Sequence, residues 1–163
     1  MRHALGAGPA AAGLLAAGKF DQVARGVPFG ALVQAFQALV RRRLAQSEQR
    51  LADWRQRLLQ ALGVNGGVLA ELIPEIEYVI GPQPAPVALG GVEALNRFQR
   101  VLQQFVGVLA DDAEPLVMFL DDLQWADPAT MQVLEPLLTA PEPGRLLLVG
   151  ALRSGAEQAS PHL

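Results

Sequence analysis

Two adjacent carboxylates end an apolar run in LVMFLDDLQWADPAT, residues 116–130, and these are the side chains in the sequence best suited to chemistry. LVMFL, residues 116–120, is too short for a helix and is bounded by turn chemistry. It therefore predicts a strand buried on both faces, with Asp121 and Asp122 at its C-terminal end, the edge where open α/β sheets bind ligands. Paired acids there repel each other and lose hydration, a cost that a bound cation such as Mg²⁺ would offset. Successive strand residues point to opposite faces, so one carboxylate is expected to face a metal and the other an attacking water. The competing reading is that the two acids merely begin a loop and cap a helix.

A second candidate lies near the beginning. GLLAAGKF, residues 13–20, fits seven of the eight places of the phosphate-binding pattern G-x-x-x-x-G-K-[ST] and puts Phe20 where a hydroxyl should bind Mg²⁺. The preceding GAGPAAA makes a poor strand, and Pro28 follows too soon for the helix that should hold the anion. The match reads as coincidence.

Composition removes other chemistry. The 163 residues contain no cysteine, and the two histidines, His3 and His162, lie near the termini, so thiolate, disulfide and histidine-based sites are not expected. A net charge of −3 offers no broad basic field for nucleic acid. Arg41, Arg42 and Arg43 read as a solvated helix surface. No segment has the apolar length of a membrane span, and the Ala/Gly-rich start makes a poor secretory signal, so a cytoplasmic location is expected.

Several elements must position the acids. Phe29, Leu32, Val33, Phe36, Leu39 and Val40 recur at helical spacing to about Gln46. Ser47 caps a second helix carrying Leu51, Trp54, Leu58 and Leu62, which Gly63 stops. Asn65-Gly66-Gly67 is a turn before a short helical segment, Val68 to Ile73, that ends at Pro74. Residues 81–91, rich in Pro and Gly, form an extended surface loop and a possible hinge. Val92, Leu95, Phe98, Leu102, Phe105, Val106 and Leu109 mark a helix to about Ala110, which Asp111 to Pro115 terminates. After LVMFL, Asp127 caps a helix with Pro128 at its first position, and LLLVGA, residues 146–151, is a second buried strand. Strand, helix, strand predicts a βαβ unit with a parallel sheet and right-handed crossover.

LDDLQWADPAT followed by LLLVGALRS resembles the Walker B and sensor 1 segments of AAA-like signalling ATPases of the STAND group, found in large bacterial regulators and multidomain sensor kinases. GKFDQ, residues 18–22, and VPFGALVQAFQALV, residues 27–40, resemble that family's second strand end and the helix after it. The resemblance implies a partial P-loop NTPase fold over residues 18–155, α/β with a parallel sheet flanked by helices, between a low-complexity, weakly structured segment 1–17 and a tail 156–163. It implies Mg²⁺ and ATP as cofactors, Asp121 as the metal-associated acid, Asp122 as the acid that orients or deprotonates water, and Arg153 as the sensor near the γ-phosphate. Trp125 is expected to pack and Asp127 to cap.

In the family's sheet the first strand lies beside the sensor strand, here Leu146 to Ala151. If GKFDQ closes the second strand, then the first strand, phosphate loop and first helix are not encoded here, and the chain is expected to be a mid-domain fragment that binds ATP weakly alone. Its partners would be other domains or chains of a signalling protein. The alternative is a non-enzymatic interaction module built from the helices and an open sheet edge. A receiver-like or haloacid-dehalogenase-like phosphotransfer domain is disfavoured, because no D-x-D follows LVMFL and no lysine follows Lys19.

Overall fold

The computed structural model describes residues 13–22, 28–110, 115–139 and 145–153. The expectations for residues 1–12, the acidic terminator 111–114, the turn 141–144 and the tail after Arg153 lie outside the described residues.

Three strands form one sheet in the order β1 (Leu14–Lys19), β2 (Leu116–Asp121), β3 (Leu146–Gly150), all parallel. β1 begins inside the segment expected to be weakly structured. Its residues alternate strictly between buried and exposed, yet both sets are apolar up to Lys19, so the sequence carries no two-residue contrast in polarity. The resemblance of Gly13–Phe20 to a phosphate loop is thereby explained as a strand. Its backbone is spent on the ladder with β2, extended by Leu14 N–H to Pro115 O at 2.8 Å and Phe20 N–H to Asp121 O at 3.1 Å, and Phe20 is buried in the core. Gly18 serves packing. A Cβ there would lie 2.0 Å from the Ala31 carbonyl oxygen, so only glycine lets the next helix approach this closely.

That helix, α1 (Gly30–Leu44), buries Leu32, Phe36, Leu39 and Val40 as their spacing predicts. Arg43 departs from the expected solvated surface: Arg41 and Arg42 are exposed, but Arg43 is buried with its guanidinium 5.9 Å from the Trp54 ring, in cation–π contact. α2 (Glu48–Leu62) returns with Trp54, Leu58 and Leu62 inward and ends at Gly63 with a φ of 52°. The expected turn at Gly66-Gly67 is instead the first turn of α3 (Gly66–Leu72), and Pro74 opens a 3-10 turn into α4 (Glu77–Ile80). Residues 81–90 have no regular structure, as expected. Arg97 donates to the Val87 carbonyl and Gln83 N–H to Glu77, which ties the segment down at both ends.

α5 (Gly91–Leu109) buries Leu102, Phe105, Val106 and Leu109, while Val92, expected on the same stripe, is exposed in the first turn. α6 (Pro128–Thr139) connects β2 to β3, which completes the βαβ unit. Pro136 within α6 cannot donate to the Gln132 carbonyl, and the Gln99 side chain of α5 supplies that hydrogen bond at 2.9 Å. Phe36 and Phe105 meet edge to face at 5.3 Å, and Phe29 and Phe98 are tilted against each other at 4.8 Å, so α1 and α5 share one core.

β2 is not buried on both faces. Leu116, Met118 and Leu120 enter the core with Leu14 and Ala16, whereas the other sheet face leaves Leu15 60%, Leu147 57% and Phe119 36% exposed. Among the described residues the outer edge of β3 pairs with no strand.

Candidate functional site at the carboxyl edge of the sheet

Lys19, the last residue of β1, is the ladder partner of Asp121, the last residue of β2. The chain then leaves strand geometry abruptly. Asp122 takes a left-handed conformation, φ 56° and ψ 44°, and its N–H donates to Asp121 Oδ1 at 2.9 Å. This turn corrects the expectation that the two carboxylates face opposite sides. Both now reach the same cation, with Lys19 Nζ 3.0 Å from Asp122 Oδ2 and 3.5 Å from Asp121 Oδ2.

After Asp122 a 3-10 turn, Leu123–Trp125, folds across the sheet edge. Leu123 lies where a side chain on Gly150 would be, since a Cβ there would come within 2.2 Å of Leu123 Cδ1. The same turn holds β3 through Leu123 N–H to Ala151 O at 2.9 Å. Gln124 then links the elements, donating from Nε2 to Asp122 Oδ1 at 2.8 Å and accepting from Arg153 N–H at 3.3 Å. Arg153 Nε lies 3.3 Å from Asp122 Oδ1. Asp121, Asp122 and Arg153, named from the sequence, thus stand together at one sheet edge.

The two acids differ in setting. The Asp122 side chain is 10% exposed and receives Lys19, Gln124 and Arg153, whereas that of Asp121 is 40% exposed. The Gln124 amide, then the Lys19 ammonium, holds the Asp122 carboxyl below the usual carboxylate range. Its hydrogen bond and charge in turn raise the Lys19 ammonium above its ordinary value. An open cavity of about 400 Å³ adjoins these groups, lined by Lys19, Gln34, Asp122, Trp125 and Arg153 among others.

Asp127 caps α6 as expected: Oδ1 accepts Thr130 N–H at 2.8 Å, and Oδ2 accepts the Thr130 hydroxyl at 2.5 Å. The Thr130 Oγ1 also accepts Phe29 N–H at 3.2 Å, which fastens the start of α1 to α6. Trp125 packs against the core.

Sequence reasoning missed Lys19 and Gln124. Lys19 falls both in the phosphate-loop pattern and in GKFDQ, the strand end given by the resemblance; the usable signal was that this strand end carries the sequence's single lysine. Gln124 carried no signal, because its role depends on the left-handed turn before it.

The donor chemistry fits Mg²⁺ in one particular way. Carboxylate oxygens suit a hard cation, and Asp121 is accessible to one. Among the described residues no cluster of three or more acids, histidines or cysteines could cage a metal. Mg²⁺ here would need water and phosphate oxygens for its remaining ligands, as at sites where one or two carboxylates meet a nucleotide.

A three-stranded parallel sheet covered by helices, with an acid pair at its carboxyl edge, gives an α/β architecture that fits part of a P-loop nucleotide-hydrolase domain. Residues 1–149 match the family model of the AAA ATPase domain, and the chain belongs to that family. It is 36% identical over 121 residues, 74% of its length, to hybrid signal transduction histidine kinase G of Dictyostelium discoideum. The chain spans about 4% of that relative's length. No solved structure matches. No helix among the described residues is long and apolar enough to cross a membrane.

Proposed function

We propose that this chain is the acid-and-sensor portion of a nucleotide-dependent signalling ATPase of the STAND kind. The observation that carries the reading is the convergence of Asp121, Asp122 and Arg153 from β2 and the end of β3 on one edge of a parallel sheet. Asp121, the more accessible acid, would hold the cation, and Asp122, anchored by Gln124 and Arg153, would orient or deprotonate the attacking water. Arg153 would read the terminal phosphate, because its exposed guanidinium can turn from Asp122 to a new anion. Bound Mg²⁺ would neutralise phosphate charge during transfer. The relative's name supports a signalling role, with other domains or chains of the same assembly as partners.

Within these residues no strand is followed by G-x-x-x-x-G-K-[ST] and a helix. Binding by this chain alone is therefore expected to be weak, since acids repel a triphosphate that no loop cradles. Titrating the chain with ATP and Mg²⁺ while following amide resonances tests both points. Millimolar Mg-ATP is expected to shift Asp121, Asp122, Gln124 and Arg153, and the shifts should vanish in Asp121→Asn. Resonances that stay unmoved at this edge would refute the site. Submicromolar binding abolished by Asp121→Asn would refute the weak-binding expectation.

Among the described residues, the partly exposed apolar sheet face and the β3 edge that pairs with no strand favour a second reading, a module that engages another chain through apolar contact. A monomer with a cooperative melt and no binding of apolar dyes would count against it.

A further inference from the structure

Lys19 occupies the place where a cation between the two acids would act. Its ammonium lies 3.0 Å from one carboxylate and 3.5 Å from the other, opposite Asp121 in the ladder and fixed there by β1. Two adjacent acids at a strand tip repel each other unless a positive charge stands nearby, and here the chain supplies one from a neighbouring strand. The three side chains differ in how freely they can leave. The Asp122 side chain is largely covered and held by Gln124 and Arg153, whereas that of Lys19 is 63% exposed. The lysine backbone is anchored by the ladder and by its N–H to Gln34 Oε1 at 3.3 Å. Only its flexible stem need swing into the adjoining cavity to vacate the acids.

We propose that Lys19 is a resident counter-cation, a positioning residue that holds Asp121 and Asp122 together and competes with a divalent metal for them. The proposal rests on the reading of the acids as a metal site and extends it. It makes metal entry an exchange of one cation for another, so the acids need not rearrange when the metal arrives. It also gives the lysine a use once displaced: its ammonium moves into the space where an anion accompanying the metal would lie.

The test uses Mn²⁺ alone as the probe, with free ion measured by electron paramagnetic resonance in the whole chain and in Lys19→Met, Lys19→Arg and Asp121→Asn. Removing the competing charge is expected to tighten Mn²⁺ binding by up to about fivefold in Lys19→Met, the upper range for a solvent-exposed ion pair. Lys19→Arg should return the affinity toward that of the original chain, which a merely structural lysine would not require. Lys19 is the only lysine, so its reductively methylated ¹³C signal can be followed separately from the N-terminal amine, and Mg²⁺ is expected to shift it. Mn²⁺ binding that Asp121→Asn weakens but Lys19→Met leaves unchanged or also weakens would overturn the competition while sparing the metal site. Mn²⁺ binding that Asp121→Asn does not affect, or no binding in either the original chain or Lys19→Met, would overturn the metal site and the competition with it. A folded Lys19→Met, checked by its melting curve, is required for the comparison; if it fails to fold, Lys19→Gln takes its place under the same criteria.

Discussion

The two faces of the sheet are made of similar residues and have opposite fates. Leu14, Ala16, Leu116, Met118 and Leu120 lie under the helices and exclude water, while Leu15, Phe119, Leu147 and Val149 stand partly or largely exposed. Parallel sheets normally bury both faces, so apolar residue type alone does not decide burial here; what decides it is which side the helices occupy. The packed core belongs to the covered side, where α1, α5 and the strands bury their apolar side chains together. The site stands at the end of the sheet, supported from that side.

The largest effect separating the faces is expected in the core. Phe105→Ala removes a fully buried ring in contact with Phe36 and should cost about 3–5 kcal/mol in urea denaturation. Next comes Gly18→Ala, whose methyl would collide with the Ala31 carbonyl and should cost about 1–3 kcal/mol by forcing α1 off β1. Asp127→Ala removes the α6 cap together with the contact to Thr130 and should cost about 1 kcal/mol. On the open face Leu147→Ser should change stability by no more than about 0.5 kcal/mol and lower the binding of apolar dyes. A Leu147 substitution as damaging as the one at Phe105 would break the comparison.

The smallest effect concerns pH. The lowered carboxyl of Asp122 contributes stability above its ordinary value of about 3.9, and this is lost as pH falls through its lower folded value. The raised ammonium of Lys19 contributes fully below about 10.4, and this is lost as pH rises through its higher folded value. Between these limits the cluster should add no pH dependence. The difference in melting temperature between the original chain and Asp122→Asn is expected to be flat near neutrality and to shrink below about pH 4.

Much of the covered side was legible because its contrast is strong. The stripe from Leu32 to Val40 alternates with polar residues at helical spacing, and the Asp127-Pro128 start of α6 has a direct local cause. β1 was partly missed because Leu14 to Gly18 are apolar or small on both faces, leaving no period to read. Arg43 was misread because its burial comes from Trp54, which is on another helix. At the site, the strand-tip acids were legible from LVMFLDD. Their convergence was not, since it depends on the left-handed turn at Asp122 and on the register that places Lys19 beside Asp121.

The most direct test is crystallographic: grow crystals of the chain with Mn²⁺ and a non-hydrolysable ATP analogue, and locate the metal by its anomalous scattering. The expected result is a peak within coordination distance of an Asp121 carboxylate oxygen, with Asp122 and Arg153 facing the terminal phosphate. A metal bound elsewhere, or a nucleotide seated away from the ends of β2 and β3, would contradict the account.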